Sequence, residues 1–395
     1  MPDLQACRYL VLGAGPAGLA LGVSLLRRGE RSFLILEKEA EAGGLCRSAA
    51  ADGYPMDVGG GHLLESGNTR ACDFIFSFLP QEMWHLYTRQ NGILFRGRLI
   101  DFPFEAHLSQ LPEDMRARYM QSWEQAPARR GELRPNTFSD WARWQLGDAI
   151  AEDYLLPYNR KLWGVLLPRL DVDWLHKLPP DRITEEVPHF AAHNNFYYPT
   201  QHGFGEAFLR MAKALEDHII YNCPAERIEP ETRTVNDCFK AEKIINTAPW
   251  HTLDTLFPSQ VRQWIAQLSY IGVSVVYHPE RIPTETQAIY YPDDDVPYHR
   301  TVLRYNYNRT WPGYWTETNL TRSAEDKGTP RFVHPFAYPA PALGRQAVLQ
   351  NLFAWARRQG IIPLGRWGEW AYINTDEAIC RGLALAKTLL QERED

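Results

Sequence analysis

Three glycines near the N-terminus have the spacing of a turn that binds a pyrophosphate. Gly13, Gly15 and Gly18 follow an apolar run that starts at Tyr9, and they open a predicted apolar helix that ends at Arg27. The first glycine permits a tight turn, the second a close backbone approach to the pyrophosphate, and the third close packing of the helix on the sheet. The helix N-terminus adds free N–H groups and the positive end of a dipole. These residues therefore predict a dinucleotide site.

The elements around the glycines make this prediction more specific. A second apolar segment, residues 32–36, predicts a strand and is followed by Glu37. A carboxylate at this position can accept hydrogen bonds from an adenosine ribose. The order strand, glycine turn, helix, strand and acid indicates a dinucleotide fold, while a glycine-rich turn in another α/β unit remains the alternative.

A second glycine-rich region distinguishes between dinucleotides. Residues 42–48 read Ala-Gly-Gly-Leu-Cys-Arg-Ser, and residues 57–62 read Asp-Val-Gly-Gly-Gly-His. Arg47 can offer a forked donor to phosphate, and the glycines allow close backbone approach. A cofactor that lies extended across the domain suits these loops, so we predict FAD rather than a nicotinamide dinucleotide. An ordinary surface loop is the alternative.

Length and composition limit the class of protein. The chain has 395 residues, 45% of them hydrophobic, with a net charge of −6. This length suits two or three domains. The mixed charges favour neither a nucleic-acid surface nor a membrane patch, and no apolar stretch approaches the roughly 18–20 residues of a bilayer span. No signal peptide is expected. Six scattered cysteines without metal-ligand spacing predict no metal site and a reducing compartment, the cytoplasm.

The predicted fold class is α/β, with a Rossmann-type FAD-binding domain, a helical insertion domain and a separate antiparallel sheet domain. Residues 1–70, 203–260 and 345–395 are assigned to the FAD-binding domain. Residues 71–190 form the mainly helical insertion, and residues 191–202 and 261–344 form the sheet domain on the substrate side.

Helical spacing predicts three helices in the insertion and one at the C-terminus. The insertion helices cover residues 112–123, 138–146 and 148–156, with Pro157 as the stop after the third. Residues 93–100 predict a hairpin of short strands around Gly97, residues 302–307 a strand, and residues 345–358 a further helix. The last helix runs from Glu377 to about Gln391 and follows an Asn-Thr-Asp cluster, of which Asn374 or either neighbour can be the N-cap. Its N-terminus offers a second set of amides to a cofactor.

Several segments in order along the chain resemble the UDP-galactopyranose mutases, the eukaryotic type in particular. The glycine loops are shared with the wider flavoprotein superfamily of amine oxidases and protoporphyrinogen oxidases. More specific segments are Pro-Tyr-Asn-Arg-Lys-Leu-Trp at 157–163, Tyr-His-Arg-Thr at 298–301, Tyr-Pro-Ala-Pro at 338–341 and Gly-Arg-Trp-Gly-Glu-Trp-Ala-Tyr at 365–372. The chain is thus predicted to be a UDP-galactopyranose mutase-like flavoprotein.

The resemblance implies a flavin-dependent isomerase with no net redox change. In these mutases reduced FAD acts through N5 as a nucleophile at the anomeric carbon of a nucleotide sugar, which then closes with the other ring size. The flavin must first be reduced, with NAD(P)H as the external reductant. The implied partner is a nucleotide-sugar substrate, and the sequence leaves the oligomeric state open.

The resemblance and the residue types together give the predicted site. Arg300 would hold the leaving diphosphate, Tyr338 and Tyr372 would donate to the same phosphates, and His62 would lie near flavin N5. Each could instead be structural. The predicted cofactor-binding residues are Gly13, Gly15, Gly18, Glu37, Gly44, Arg47, Gly60, Gly61, His62, Arg366 and Asn374. The predicted substrate-binding residues are Phe102, Glu105, Asn159, Trp163, Tyr197, Tyr290 and Arg300, although Asn159 and Trp163 could equally brace a helix pair.

The sequence departs from the mutase pattern at three of these positions. The family's second arginine toward the diphosphate aligns with Tyr197. Near the expected base pocket Phe102 and Glu105 stand where the eukaryotic enzymes have Tyr and Gln. A carboxylate would repel the carbonyl oxygens of uracil and would accept from an amino-bearing base. We therefore predict a nucleotide sugar other than UDP-galactose. The alternative is that Glu105 points into solvent or pairs with Arg96 or Arg98 on the adjacent hairpin.

Other functions remain open on the same flavin domain. The chief alternative is an FAD-dependent oxidoreductase of the amine oxidase or protoporphyrinogen oxidase type. A flavin enzyme whose substrate lacks a diphosphate would also explain the absence of the second arginine.

Overall fold

The computed structural model describes residues 4–51, 54–175, 195–253, 257–308, 313–326 and 328–392. The chain divides into two compact units. The first unit comprises Met1–His85, His202–Ser269 and Gly344–Asp395, and the second comprises Leu86–Gln201 and Tyr270–Leu343. The second unit combines segments that the sequence analysis assigns to two separate domains, and the three-domain division stays a prediction.

The described residues contain both strands and α-helices. The strands are β1 (Gln5–Leu12), β2 (Phe33–Leu36), β3 (Ser48–Ala51), β4 (Tyr54–Asp57), β5 (Leu64–Glu65), β6 (Trp84–Thr88), β7 (Asn91–Phe95), β8 (Arg98–Asp101), β9 (Asn195–Pro199), β10 (Ile219–Ile220), β11 (Ile228–Glu229), β12 (Thr234–Val235), β13 (Phe239–Asn246), β14 (Tyr270–His278), β15 (Ala288–Tyr290), β16 (Arg300–Val302), β17 (Tyr314–Asn319), β18 (Arg331–Pro339) and β19 (Ile361–Pro363). The α-helices are α1 (Pro16–Arg27), α2 (Thr69–Phe76), α3 (Glu113–Glu124), α4 (Phe138–Leu146), α5 (Asp148–Ile150), α6 (Leu156–Trp163), α7 (Glu206–Lys213), α8 (Ser259–Ala266), α9 (Arg345–Arg358), α10 (Gly365–Gly368) and α11 (Thr375–Gln391).

The first unit contains a parallel core with the predicted dinucleotide-binding order. Its strands lie in the order β10, β2, β1, β13, and β19 also pairs with β13; all these pairs are parallel. The short β12 pairs antiparallel with β13, and β11 pairs antiparallel with β12. Helix α1 starts with Pro16, which needs no N–H partner in the first turn. A Cβ on Gly22 would lie 2.8 Å from Ile35, so this helix packs closely on β2.

The second unit contains a seven-stranded sheet in the order β18, β14, β17, β16, β15, β7, β8. All neighbours in it are antiparallel except β15 and β7. The hairpin of β7 and β8 turns at Arg96 and Gly97, both at positive φ, as its sequence predicts. The predicted α/β fold class is therefore confirmed, with one parallel pair in the mainly antiparallel sheet.

Two local predictions are wrong. Pro157 does not end a helix: it lies in the first turn of α6, after a π-helical turn at Ala151–Leu155. Proline is tolerated there because first-turn N–H groups need no partner within the helix. The strand predicted at 302–307 ends at Val302, and Arg304–Asn306 form a 3-10 turn. No helix among the described residues is long and apolar enough to cross a membrane.

Candidate functional site

In the first unit, the glycine triplet leaves open space beside its middle member. Gly13 has a φ of +109°, and a Cβ there would lie 2.5 Å from Oγ1 of Thr247. A Cβ on Gly18 would lie 2.2 Å from the carbonyl oxygen of Gly13. A Cβ on Gly15 would meet no atom of the described chain within 4 Å. The fold itself requires the outer glycines, whereas Gly15 borders a space that a ligand can occupy.

Glu37 follows β2, as predicted, and holds the glycine turn by hydrogen bonds. Its carboxylate accepts from the backbone N–H of Ala14 at 2.8 Å and of Glu39 at 3.0 Å. The side chain is buried. Each carboxylate oxygen has two acceptor positions, so these bonds leave acceptor capacity for a hydroxyl. The predicted contact with a ribose stays a prediction.

The second glycine loop lies against the first. A Cβ on Gly44 would be 3.3 Å from Cα of Gly15. Arg47 donates from Nε to the carbonyl of Gly44 at 3.1 Å, and its Nη1 lies 3.4 Å from Glu39. The guanidinium therefore shapes this loop, and its predicted bond to phosphate would use its remaining donors.

His62 is held beside the same loop. A Cβ on Gly59 would lie 2.1 Å from the carbonyl oxygen of Leu45 and 2.9 Å from Cε1 of His62. Gly60 has a φ of +86°, and the N–H of His62 donates to its carbonyl at 2.9 Å. The imidazole ring is stacked on Phe204 with centroids 6.4 Å apart. Its predicted place near flavin N5 stays a prediction.

The C-terminal segment reaches the second glycine loop through the start of α11. Asn374 is the N-cap, and Glu377 completes a capping box. Oγ1 of Thr375 lies 3.4 Å from Sγ of Cys46. Arg366 donates from Nη2 to the carbonyl of Ile373 at 2.7 Å, which fixes the segment before the helix. The first unit thus brings together the two glycine loops and the N-terminus of α11.

In the second unit, three side chains form a row across the sheet. Tyr290 and Arg300 are predicted site residues, and Glu317 is a further one. Tyr290 on β15 pairs with Arg300 on β16, and Arg300 pairs with Glu317 on β17. Directly opposed residues of antiparallel strands share one face. Nη2 of Arg300 forms an ion pair of 2.5 Å with Glu317, which is buried.

Arg300 combines a fixed charge with a donor that is not used. Burial lowers the pKa of Arg300, but Glu317 and then Tyr338, Tyr290 and Tyr158 raise it, and the net pKa lies well above the ordinary value. The guanidinium is therefore always charged. Its Nε is buried and has no hydrogen-bond partner among the described residues.

Aromatic rings surround this arginine, and a carboxylate lies in the same region. Tyr290 packs against Phe102 at 5.3 Å and edge-on against Tyr158 at 5.5 Å. Glu105 lies in the 3-10 turn Phe104–Ala106, shortly after Phe102 in the chain, and its side chain is buried. Burial and then the charge of Glu105 raise the pKa of Tyr154 well above its usual value.

The alternative prediction that Glu105 points into solvent is wrong, because its side chain is buried. Of the two arginines considered as its partners, Arg96 pairs with Asp153 at 3.0 Å, and pairing with Arg98 stays a prediction. The turn that carries Glu105 follows the cis peptide bond between Phe102 and Pro103. The sequence indicates a hairpin with basic residues, but it does not show that the turn after Pro103 buries the side chain of Glu105.

Two buried basic side chains, His299 and Lys161, lie near this row. Burial, then the charges of Arg300 and Lys161, lower the pKa of His299 well below its usual value, so this imidazole is neutral. Its Nδ1 has no partner among the described residues. Burial lowers the pKa of Lys161 from 10.5 to about 8, and its Nζ donates to the carbonyl of Asp293 at 2.5 Å.

Three of the predicted substrate residues, Asn159, Trp163 and Tyr197, lie on α6 and β9. Asn159 donates to the carbonyl of Leu155 at 2.9 Å within its own helix. Trp163 is fully buried and packs edge-on against Trp174 at 6.0 Å. These contacts suit the structural alternative, and the predicted contact of both residues with the substrate stays a prediction. Tyr197 is half-buried on β9 between buried neighbours.

The two predicted phosphate tyrosines lie in different units. Tyr338 is on β18 in the second unit, close enough to Arg300 to raise its pKa. Tyr372 precedes α11 in the first unit and is half-buried. Their joint role stays a prediction. The described residues contain no group of His, Cys, Asp or Glu side chains that could hold a metal ion.

Comparison with known proteins finds similarity both at the glycine loops and along nearly the whole chain. Residues 11–75, which include both the glycine triplet and the second glycine loop, match a family model described as an NAD(P)-binding Rossmann-like domain. The UDP-galactopyranose mutase of Mycoplasma pneumoniae is 25% identical over 97% of this chain and 96% of its own. The crystal structure of a reduced UDP-galactopyranose mutase covers 98% of this chain and 95% of its own, with a TM-score of 0.86 and 22% identity.

The chain is similar to UDP-galactopyranose mutases along nearly its whole length. This confirms the resemblance that the sequence predicts. The same fold also occurs in a putrescine oxidase, with a TM-score of 0.66, 16% identity and coverage of 99% of this chain and 100% of that protein. The fold alone therefore does not decide between an isomerase and an oxidase.

Sequence reasoning about this mutase-like chain missed Glu317, Tyr158 and His299. Glu317 had a signal, since it is a single charge in the strand segment Tyr-Trp-Thr-Glu-Thr-Asn. His299 stands directly before the predicted arginine. Tyr158 lies within the motif at 157–163, where attention went to Asn159 and Trp163. Strand register brings Glu317 to Arg300, and the packing of α6 brings Tyr158 to Tyr290.

Proposed function

We propose that the chain is an FAD-dependent isomerase that interconverts the pyranose and furanose forms of a nucleotide sugar. The observation that carries the proposal is the half-buried Arg300, which is always charged and keeps a buried, unused Nε beside Tyr290 and Tyr158. A group of this kind suits a diphosphate, which accepts charge-assisted hydrogen bonds. The likeness to UDP-galactopyranose mutases over nearly the whole chain supports the same function.

The first unit fits FAD. Gly15 borders open space, the second glycine loop lies against it, and the N-terminus of α11 contacts that loop through Thr375 and Cys46. An extended dinucleotide can use both glycine loops and both helix N-termini, so pyrophosphate and ribityl groups meet backbone amides. Reduced FAD supplies a nucleophilic N5 for the anomeric carbon when it is bound.

The chain's own residues bind and orient the substrate. Arg300, held in place by Glu317, binds the diphosphate and stabilises its charge as it leaves the sugar. Tyr338 contributes a phenolic donor to the same group. Because the pKa of Arg300 is raised, no proton is lost from this clamp during turnover.

The nucleotide is proposed to differ from uridine. Glu105 is a buried acceptor in the region that Phe102 and Tyr290 line with aromatic rings. An ionised carboxylate accepts but cannot donate, whereas uracil presents carbonyl acceptors at O2 and O4. A base with an amino donor on this edge, such as guanine or cytosine, fits the carboxylate better.

Binding of nucleoside diphosphates tests the proposal before any substrate is known. The purified holoprotein would be titrated with UDP, CDP, GDP and TDP, in the oxidised form and after reduction with dithionite. We expect saturable binding that changes the flavin spectrum, with GDP or CDP ahead of UDP. Absence of binding for all four in both redox states would contradict the proposal. Oxidation of an amine with oxygen uptake would then favour the oxidoreductase.

A further inference from the structure

A fully buried carboxylate in the first unit lies outside every predicted contact. Asp57 precedes the loop Val-Gly-Gly-Gly-His and has no solvent exposure. Its Oδ1 accepts from the hydroxyl of Ser48 at 2.6 Å and from the backbone N–H of Phe204 at 3.0 Å. Hydrogen bonds to an ionised acceptor are stronger than those between neutral groups.

Ser48 extends this connection to a third segment. Its Oγ accepts from the backbone N–H of Gly205 at 2.9 Å. A Cβ on Gly203 would lie 2.2 Å from Oγ of Ser48, and one on Gly205 would lie 2.6 Å from the backbone nitrogen of Ser48. The two glycines therefore let the segment 202–205 approach closely enough for these bonds to form.

Asp57 and Ser48 thus join three loops by hydrogen bonds. We name this hydrogen-bonded connection the clasp. The loops are residues 43–47, residues 58–62 and residues 202–205. A further backbone bond, from Val58 to the carbonyl of Arg47 at 3.0 Å, links the first two. The first two loops are the ones proposed to hold the cofactor.

The clasp also places an aromatic wall beside His62. Phe204, whose N–H is bound by Asp57, stacks on the His62 ring at 6.4 Å. Trp84 and Phe208 hold the Phe204 ring from two other directions, at 6.2 Å and 5.6 Å. A shift of the Phe204 backbone would therefore move the ring against which His62 rests.

We infer that Asp57 is a positioning residue: through Ser48 and Phe204 it fixes the His62 ring and thereby the surroundings of the bound flavin. The part that concerns flavin rests on the proposed function. The part that concerns the three loops stands without it, since every bond in the clasp lies within the protein.

The first experiment measures the flavin itself in a double-mutant cycle. The holoprotein, Asp57→Ala, His62→Ala and the double variant would be compared by the visible spectrum and midpoint potential of bound flavin. If Asp57 acts through His62, both single variants shift these signals in the same direction, and the double variant shifts them no further than His62→Ala. Independent, additive shifts, or no shift in Asp57→Ala, would overturn the inference.

Conservative and matched variants separate positioning from loss of stability. Asp57→Asn keeps an acceptor oxygen for both donors and should restore most of the wild-type flavin signal. Asp326→Ala is the matched control, because Asp326 is a buried carboxylate of the second unit that accepts from Thr316 at 2.6 Å and Thr318 at 2.8 Å. It should lower stability and leave the flavin spectrum unchanged. An equal flavin shift in Asp326→Ala would mean that the signal reports destabilisation alone.

The second experiment uses the cofactor-free protein and distinguishes the clasp from the proposed function. Amide hydrogen exchange at Phe204 and Gly205 should be about ten- to hundredfold faster in Asp57→Ala, because a charged acceptor is lost. Ser48→Ala should expose Gly205 in the same way and replaces Asp57→Ala if that variant does not fold. Unchanged amide hydrogen exchange at Phe204 and Gly205 would show that Asp57 and Ser48 do not hold this segment, even if FAD binds. Faster exchange in a protein that binds no FAD would retain the clasp and contradict the proposed function.

Discussion

Arg300 is the residue on which substrate binding depends most directly in this account. Removal of a charged hydrogen bond to phosphate costs on the order of 2–4 kcal/mol, or roughly 30- to 1,000-fold in affinity. We therefore expect Arg300→Ala to weaken nucleoside diphosphate binding by this factor while the flavin stays bound. Titration calorimetry with the diphosphate and the flavin absorbance would measure the two quantities.

A second arginine of the same unit provides the control for this prediction. Arg322 pairs at 3.0 Å with Asp294, whose side chain is exposed, so Arg322→Ala should leave diphosphate affinity unchanged. Arg300→Ala also leaves Glu317 buried without its ion pair, and the double variant with Glu317→Gln removes that charge. Diphosphate affinity equal to wild type in Arg300→Ala would remove this arginine from the site.

Glu105 should select the base. In Glu105→Gln the amide can both donate and accept, so UDP affinity should rise relative to GDP and CDP. Competition among UDP, CDP, GDP and TDP measures the ranking in wild type and variant. Glu113→Gln changes an exposed helical carboxylate and should leave the ranking as it is. If Glu105→Gln also leaves the ranking unchanged, Glu105 does not contact the base and uridine becomes the better proposal.

The turn between β1 and α1 allows the cofactor role and the folding role of glycine to be separated. Gly15→Val places its side chain in open space, so the cofactor-free protein should keep its melting temperature and lose FAD. Gly18→Val forces a side chain against the carbonyl of Gly13 and should cost about 1–3 kcal/mol of stability. Thermal unfolding and flavin occupancy measure both effects. Full FAD occupancy in folded Gly15→Val would show that this turn does not bind the pyrophosphate.

Helix α6 should make the stability of the second unit depend on pH. The pKa of Lys161 is lowered from 10.5 to about 8, so the unfolded chain binds more protons than the folded chain between these values. Stability from this group therefore rises as pH increases from about 8 to 10.5, by roughly 3 kcal/mol. Denaturant unfolding of wild type and Lys161→Met across this range would measure the difference.

The control for this pH dependence is Lys240→Met, which changes an exposed lysine of the first unit. It should retain the rise that Lys161→Met loses. A wild-type curve parallel to that of Lys161→Met from pH 8 to 10.5 would show that Lys161 is not held in a low-pKa state.

Elements with strong periodicity could be predicted from the sequence. The strand, glycine turn, helix and second strand at the N-terminus are present, and so are helix α9 and the hairpin of β7 and β8. Prediction failed where local signals conflict with tertiary structure. Pro157 signals a stop, but the π-helical turn before it lets α6 begin there. The apolar residues at 303–307 suited a strand, yet they form a turn that packs into the core.

The candidate site was predicted where a motif carries the chemistry and missed where only the fold joins the residues. The glycine turn and Arg300 stand out in the sequence. The clasp does not, because Ser48 and Gly205 are 157 positions apart and glycine is common in loops of every kind. Glu317 meets Arg300 through strand register, which a single sequence does not specify.

At the scale of the whole molecule, each unit presents one half of the proposed chemistry. The first unit contains the parallel sheet and the glycine loops proposed for FAD, and the second contains the sheet with Arg300 and its aromatic neighbours. The fold is common to a UDP-galactopyranose mutase and to a putrescine oxidase. The fold therefore does not identify the reaction. Whether the substrate is oxidised during turnover distinguishes an oxidase from an isomerase.

The central claim is that a reduced flavin isomerises a nucleotide sugar with no net redox change. The most direct measurement is chromatography of UDP-, CDP- and GDP-linked galactopyranose after incubation with dithionite-reduced protein, while absorbance follows the flavin. We expect a furanose isomer of at least one substrate, formed over many turnovers while the flavin stays reduced. No isomer from any of the three, together with substrate-dependent oxygen consumption by the oxidised protein, would contradict it.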